Sequence, residues 1–418
     1  MAKDFLKLKI KNTSSLIGLD LTYFVSGGFW FMISNASALV GGVLLSALFA
    51  RIWPKDVLGQ FSFLMSAIAF ISITALPGMT ETVFQASIEK KDGVFREAMK
   101  KIIYFSLLGA LILIFGSVYF FLRSNQNLAL SVFFASLAFP FSTLGSLAIA
   151  FYNGKKDFRK SSLISTTANL FSIGMTAIAL VYFRNFVVVT IFSTWSTAIV
   201  NILFTYSIFK NTKSLKTDRR LIKLGLTLSA TQIVYTGLDY LDKLLIPIFL
   251  GFEKNAVYYF AILIPLQIQG FFKMFLALGQ SKISEVSPQE VRRVLFFKSM
   301  LLEVLITLIV VLYILICPFI FKILYPSYHE AILLSQIFSL SLLYYPSNIF
   351  GAYLVKRRII KWNFIATIIY GISSVLSLLM FLYFWGLIGA IISKIFAKIV
   401  QIAITQVVFL HITRKVKS

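Results

Sequence analysis

Residues 101–122 read KIIYFSLLGALILIFGSVYFFL, a run whose only charge is its first residue and which is closed by Arg123. A hydrocarbon core of roughly 30 Å takes about 20 apolar residues as α-helix, and lipid offers backbone amides no partner outside the helix itself. The stretch predicts a membrane-spanning helix. Outward from it, similar apolar runs follow one another from about Tyr23 to His411, separated by short polar connections. The pattern gives twelve spans, at 27–50, 57–79, 101–122, 127–151, 161–183, 186–209, 224–250, 256–280, 294–321, 330–355, 362–384 and 387–410. Of the 418 residues, 58% are hydrophobic and 43 are Phe, as expected for a polytopic membrane protein. The longest polar connections, near 89–101, 210–223 and 281–298, are too short to bury cores of their own, which excludes a large soluble domain.

The formal net charge of +24 raises the question of a nucleic-acid partner, and its distribution answers it. Thirty of the 40 Lys and Arg residues fall in the N-terminal segment, in Lys90 to Lys101, Lys155 to Lys160, Lys210 to Lys223, Lys282 to Lys298 and Lys356 to Lys361, and after His411. Six lie on the opposite side: Arg51, Lys55, Arg123, Arg184, Lys254 and Lys322. Alternate connections are thus basic, and the positive-inside rule places both termini in the cytoplasm. The charge reports topology, and no nucleic acid is expected. Four lysines remain inside spans: Lys243, Lys273, Lys394 and Lys398.

The single cysteine, Cys317, excludes an intramolecular disulfide and a multi-cysteine metal site, and reads as a packing residue of the ninth span. Lys3 to Lys11 mixes Phe5, Leu6, Leu8 and Ile10 with lysines, a composition suited to lying on an anionic leaflet. No small-residue cleavage pattern marks a removable signal there.

Shifting the sequence by 199 positions lays Trp53-Pro54-Lys55 through Phe61 over Phe252-Glu253-Lys254 through Phe260, with lysine on lysine and phenylalanine on phenylalanine. A similar shift lays Lys155 to Lys160 over Lys356 to Lys361. Six-helix repeats preserve orientation, so the expectation is two parallel lobes, 1–212 and 213–418, joined by the basic linker; chance likeness of hydrophobic helices is the alternative.

Polar residues recurring at helical spacing inside spans mark either helix packing or a cavity wall. The fifth span carries Ser162, Ser165, Thr166, Asn169, Ser172 and Thr176, and the sixth Thr190, Thr194, Thr197, Asn201 and Thr205. Stripes of this kind are also ordinary in helix contacts. Ionisable groups at depth are costlier, about 2.5 to 3.5 kcal/mol each at a helix centre. The seventh span carries Gln232, Tyr235, Thr236, Asp239, Asp242 and Lys243, and the twelfth Lys394, Lys398, Gln401 and Thr405. Asp239 and Lys243, four apart, would account for each other as an intrahelical ion pair. Asp242, Lys273, Glu303, Lys394 and Lys398 have no such local explanation. The excess of cation suits a pathway for an anionic substrate, and Pro140, Pro247, Pro265 and Pro346 offer kinks in the spans. No Gly-rich loop with Gly-Lys-Ser/Thr, no His-Glu-x-x-His and only two histidines, His329 and His411, are present, so neither ATP hydrolysis nor a metal centre is expected.

Leu48-Phe49-Ala50-Arg51 followed by Trp53-Pro54-Lys55-Asp56-Val57-Leu58-Gly59-Gln60-Phe61 resembles the signature after the first helix of bacterial polysaccharide flippases. These belong to the multidrug/oligosaccharidyl-lipid/polysaccharide exporter superfamily. Gly237-Leu238-Asp239-Tyr240-Leu241-Asp242-Lys243, then Gly251 and Tyr258-Tyr259, is similar to that family's seventh-helix pattern. The resemblance implies an all-α bundle of about twelve transmembrane helices in two six-helix lobes around a central cationic cavity, in a bacterial cytoplasmic (inner) membrane. It implies a transporter, not an enzyme, that flips undecaprenyl-diphosphate-linked oligosaccharide to the outer leaflet by alternating access, for O-antigen, capsule or exopolysaccharide. Membrane lipids, a polysaccharide polymerase and chain-length proteins would be partners. Beyond the resemblance, Lys243, Lys273, Lys394 and Lys398 are expected to meet the diphosphate or acidic sugars. Asp239, Asp242 and Glu303 would balance charge or couple to H+ or Na+, with no cofactor. Two alternatives stay open: a drug exporter of the same superfamily, expected to be acid-rich where this chain is lysine-rich, and a scaffold that transports nothing.

Overall fold

The computed structural model describes residues 21–212, 217–283, 288–347 and 360–415. The N-terminal Lys3 to Lys11 segment and most of the Lys356 to Lys361 connection lie outside them. Among the described residues every regular element is helical. The chain forms α1 (Leu21–Ile52), α2 (Lys55–Ile71), a 3-10 turn (Ser72–Ala75), α3 (Met79–Ile88), α4 (Gly93–Leu122), α5 (Gln126–Ser142) and α6 (Gly145–Gly154). It continues with α7 (Phe158–Tyr182), α8 (Phe186–Asn211), α9 (Arg219–Leu250), α10 (Phe252–Ile283), α11 (Pro288–Leu324) and α12 (Ala331–Ser339). A 3-10 segment (Leu340–Ser347) and α13 (Ile360–Lys415) complete it. Among the described residues nine helices are long and apolar enough to cross a membrane. Each of the twelve expected spans falls on helix, the tenth as far as Ser347. The chain is a multi-pass membrane protein.

Two breaks turn the helices into spans. At about 1.5 Å per residue, α13's 56 residues would exceed twice a bilayer's hydrocarbon thickness if straight. Gly386 breaks it, with φ 56° and ψ −134°, a conformation that costs glycine little and other residues much. The eleventh and twelfth spans lie on either side. The fourth span is likewise two helices, α5 and α6, the first ending two residues beyond Pro140. Elsewhere side chains and left-handed residues close the helix ends. Asn125, Asp157 and Asn185 accept from the first free amides of α5, α7 and α8. Lys90, Ser124, Lys156 and Arg184 take positive φ just beyond α3, α4, α6 and α7.

The helices form two compact units that interleave the sequence halves expected at 1–212 and 213–418. The first holds the chain up to Ser46 and Ile71–Ile233; the second holds Ala47–Phe70 and Val234–Ser418. In the first unit, Met79, Val83, Phe95, Leu147, Ile208 and Leu221 form one buried core, so the start of α9 packs with α3, α4 and α6. Gly78 lies where a Cβ would stand 2.4 Å from the Ser229 amide nitrogen, and its own amide donates to Ser229 Oγ at 3.0 Å.

In the second unit, the two turns superposed by the 199-residue shift pack against each other. A Cβ on Gly59 would sit 1.8 Å from the Phe252 carbonyl oxygen, which requires glycine there. Asn255 Nδ2 donates to the Gly59 carbonyl at 2.9 Å and to Ser62 Oγ at 2.8 Å. The superposed lysines converge on one acid: Lys55 and Lys254 lie 2.7 and 3.0 Å from the two carboxylate oxygens of Glu330. These ammonium groups hold the Glu330 carboxyl down at about 2.

Candidate functional site

In the part of α9 that belongs to the second unit, Asp239, Asp242 and Lys243 sit within little more than a turn. Asp242 is fully buried. Its Oδ2 accepts a short hydrogen bond from the Tyr258 hydroxyl on α10, and the Lys394 ammonium on α13 stands 3.0 Å from its Oδ1. That contact has ion-pair distance without hydrogen-bond alignment. Lys394 Nζ instead donates, over 3.3 Å, to the backbone carbonyl of Asp239. A carboxylate taken out of water needs both a countercharge and donors, and here two other helices supply them.

The other two described lysines of the cluster rest on aromatic rings. Lys243 Nζ lies 4.7 Å from the centre of the Tyr240 ring, three residues back on α9. Lys398 Nζ, one turn beyond Lys394, donates to the Tyr344 hydroxyl at 2.7 Å and lies 4.3 Å from that ring's centre. Tyr344 stands on the 3-10 segment that contains Pro346, and it packs edge-on against Tyr345, whose ring is buried with Leu342, Ile306 and Val310. Cation–π contact stabilises an ammonium without supplying an anion to it. Asp239, Asp242 and Lys394 are all within electrostatic reach of Lys243.

The structure thus gathers Lys243, Lys394, Lys398, Asp239 and Asp242 within one unit. The pairing differs from the local expectation: Asp239 and Lys243 form no ion pair, and the countercharge that is used comes from 152 positions away, Lys394 to Asp242. The Asp239 residue is exposed. Glu303 is exposed on α11 beside Leu301, Val304 and Leu308, each more than half exposed, and no hydrogen bond or ion pair of its carboxylate joins it to the cluster. Lys273 belongs to α10, and its side chain lies outside the described residues. Sequence reasoning left Tyr240, Tyr258 and Tyr344 without a role. Tyr258 was within reach, since a carboxylate at membrane depth must find a donor. Among the described residues, no group of three or more His, Cys, Asp or Glu side chains is placed to hold a metal ion.

The neutral stripes of the first unit serve packing. Asn201 on α8 donates to the Ser142 carbonyl at 2.8 Å, and Thr205 to the Leu144 carbonyl at 3.5 Å, both at the break between α5 and α6. Thr197 donates to Ser172 across α7 and α8 at 3.0 Å. At one end of this unit Lys91 bridges Asp218 and Glu89. Hydrogen bonding to Asp218, then to Glu89, raises the Lys91 ammonium above its ordinary value, and Lys91 lowers Asp218. Asp218 also accepts from the Arg220 amide at 2.8 Å, capping α9.

Solved structures share this fold. An inward-facing multidrug resistance MATE family transporter of the MOP superfamily matches with a TM-score of 0.71 at 11% identity, covering 91% of this chain and 95% of that one. An outward-facing form of such a transporter matches at 0.62 and 13%, covering 95% and 96%. A MOP superfamily transporter from Pyrococcus furiosus, described as having a binding pocket of reversed polarity that suggests a different function, matches at 0.64 and 12%, covering 95% and 96%. No curated protein matches the sequence. The family described as "Polysaccharide biosynthesis protein" matches residues 48–269, more than half of the chain. On that match the chain belongs to the polysaccharide biosynthesis protein family, built on the fold of the MOP superfamily.

Proposed function

We propose that this protein is a flippase that carries undecaprenyl-diphosphate-linked oligosaccharide from the cytoplasmic to the outer leaflet of a bacterial inner membrane by alternating access, with both termini cytoplasmic. The observation that carries this reading is the pair of ammonium groups, Lys243 and Lys398, in the expected seventh and twelfth spans, which rest against tyrosine rings with no carboxylate at ion-pair distance among the described residues. Unneutralised cations at that depth are costly, and an anionic headgroup offsets the cost. Tyrosine faces beside them suit sugar rings. Family membership supports a polysaccharide pathway, and the fold supports transport rather than catalysis. A cation exporter would be expected to present carboxylates where this cluster presents lysines. The two sequence repeats, 1–212 and 213–418, are the proposed transport lobes. Proton or sodium coupling falls to Asp239, and a polymerase and chain-length proteins take the product.

The test is reconstitution into proteoliposomes with a fluorescent lipid-diphosphate oligosaccharide and an external quencher. Faster quenching than in protein-free vesicles is expected, abolished in Lys243→Met/Lys398→Met. Equal rates with and without protein would overturn the reading, and export of a cationic dye alone would replace it.

A further inference from the structure

The two partners of the buried ion pair are held very unequally. Asp242 is fixed: it is fully buried, and the Tyr258 hydroxyl, itself fully buried, is bound to its Oδ2. Lys394 is loosely held. Its contact with Oδ1 lacks hydrogen-bond alignment, its one hydrogen bond among the described residues is the 3.3 Å contact to the Asp239 carbonyl, and its side chain is 21% exposed. An ammonium has three donors, so this one retains unused donor capacity on an open side. Around it stand Asp239, Tyr240, Asp242 and Lys243 on α9, with Tyr258 of α10 bound to Asp242. Their charges leave the carboxylate of Asp242 as the anion that Lys394 meets directly.

We infer that Asp242, clamped by Tyr258, is a fixed internal counter-anion from which Lys394 is exchanged to the phosphate oxygens of an incoming anionic headgroup. Asp242 and Tyr258 are then positioning residues that act through Lys394. A diphosphate carries more charge than one carboxylate and accepts charge-assisted hydrogen bonds on several oxygens, so it competes for the ammonium. Once Lys394 has left, Asp242 is a buried carboxylate that keeps the Tyr258 hydroxyl and the more distant Lys243 but has no ammonium at ion-pair distance. Its return to Lys394 then drives release of the headgroup. The inference rests on the flippase reading for the identity of the ligand.

The test measures binding of inorganic pyrophosphate to the purified full-length protein, and separately the half-saturating concentration and maximal rate of lipid-diphosphate flipping. Asp242→Asn keeps the shape and the Tyr258 contact but removes the competing charge. Pyrophosphate should bind at least about threefold more tightly, and half-saturation should fall while the maximal rate also falls, because release has lost its driving partner. Tyr258→Phe loosens the carboxylate and should move both quantities the same way by less. Lys394→Met strands a buried carboxylate and endangers folding, so Asp242→Asn/Lys394→Met, neutral as a pair, is the companion variant. It should fold and bind pyrophosphate at least about tenfold more weakly than wild type. Weaker pyrophosphate binding in Asp242→Asn, an unchanged maximal rate in that variant, or no pyrophosphate binding by wild type would each overturn the exchange. Wild-type protein that binds pyrophosphate with this variant pattern but flips no lipid would uphold the exchange and sink only the flippase reading.

Discussion

The first unit's neutral stripe and the second unit's charged cluster both place polar atoms at membrane depth, yet they answer different needs. Asn201 and Thr205 donate to the Ser142 and Leu144 carbonyls at the α5 to α6 break. Lys243 and Lys398 sit on tyrosines with no carboxylate at ion-pair distance among the described residues. Depth alone therefore does not distinguish the two regions; what does is that the second carries ionisable side chains where the first carries neutral amides and hydroxyls.

Substitutions can break that contrast. The largest effect is expected from Asn201→Leu, which leaves the Ser142 carbonyl unsatisfied and crowds Gly145, where Asn201 Oδ1 already stands 2.3 Å from a would-be Cβ. Thermal unfolding in detergent should report a loss of about 2 to 3 kcal/mol, with the half-saturating lipid concentration of the surviving protein unchanged. Lys398→Met should do the reverse: flipping falls about tenfold, equivalent to about 1.4 kcal/mol, while the melting temperature holds. If both variants lost stability and transport together, the two regions would not be distinct. Thr205→Val, removing a long 3.5 Å bond, should cost about 0.5 to 1 kcal/mol of stability and no transport.

Glu330→Gln sharpens the picture at the expected outer turn. Lys55 and Lys254 hold this carboxyl at about 2 against an ordinary value of 4.5, so its contribution is present above about 4.5 and is lost as pH falls toward 2. Half of the Glu330 side chain is solvent-exposed, so screening leaves roughly 0.5 kcal/mol. The variant should be that much less stable at neutral pH and match wild type in acid denaturation near pH 2. Glu303→Gln, on the exposed face of α11, should leave flipping unchanged, and a tenfold loss there would enlarge the cluster.

The spans were legible because length and hydropathy are local properties, and 101–122 carries both without ambiguity. The site was legible in part. Spacing along one helix put Asp239, Asp242 and Lys243 on neighbouring faces, and the four-residue rule then favoured Asp239 with Lys243. The partner actually used arrives from α13, and no local rule can supply a contact between residues 242 and 394. The interleaved units were invisible for the same reason: that residues 47–70 pack with the later chain follows from Gly59 meeting Phe252, a fit between two backbones. Glu303 shows the converse limit, since hydropathy around it was as apolar for lipid as for a protein interior.

The shared acid at the outer turn has a consequence for the internal duplication. Lys55 and Lys254 are counterparts, but Glu330 has none: 199 positions earlier stands Ser131. A pair of identical half-length chains would bring either two such acids to the two lysines or none. One carboxylate serving both lysines is an asymmetric solution that a single chain can reach, and it joins the two like turns through one residue.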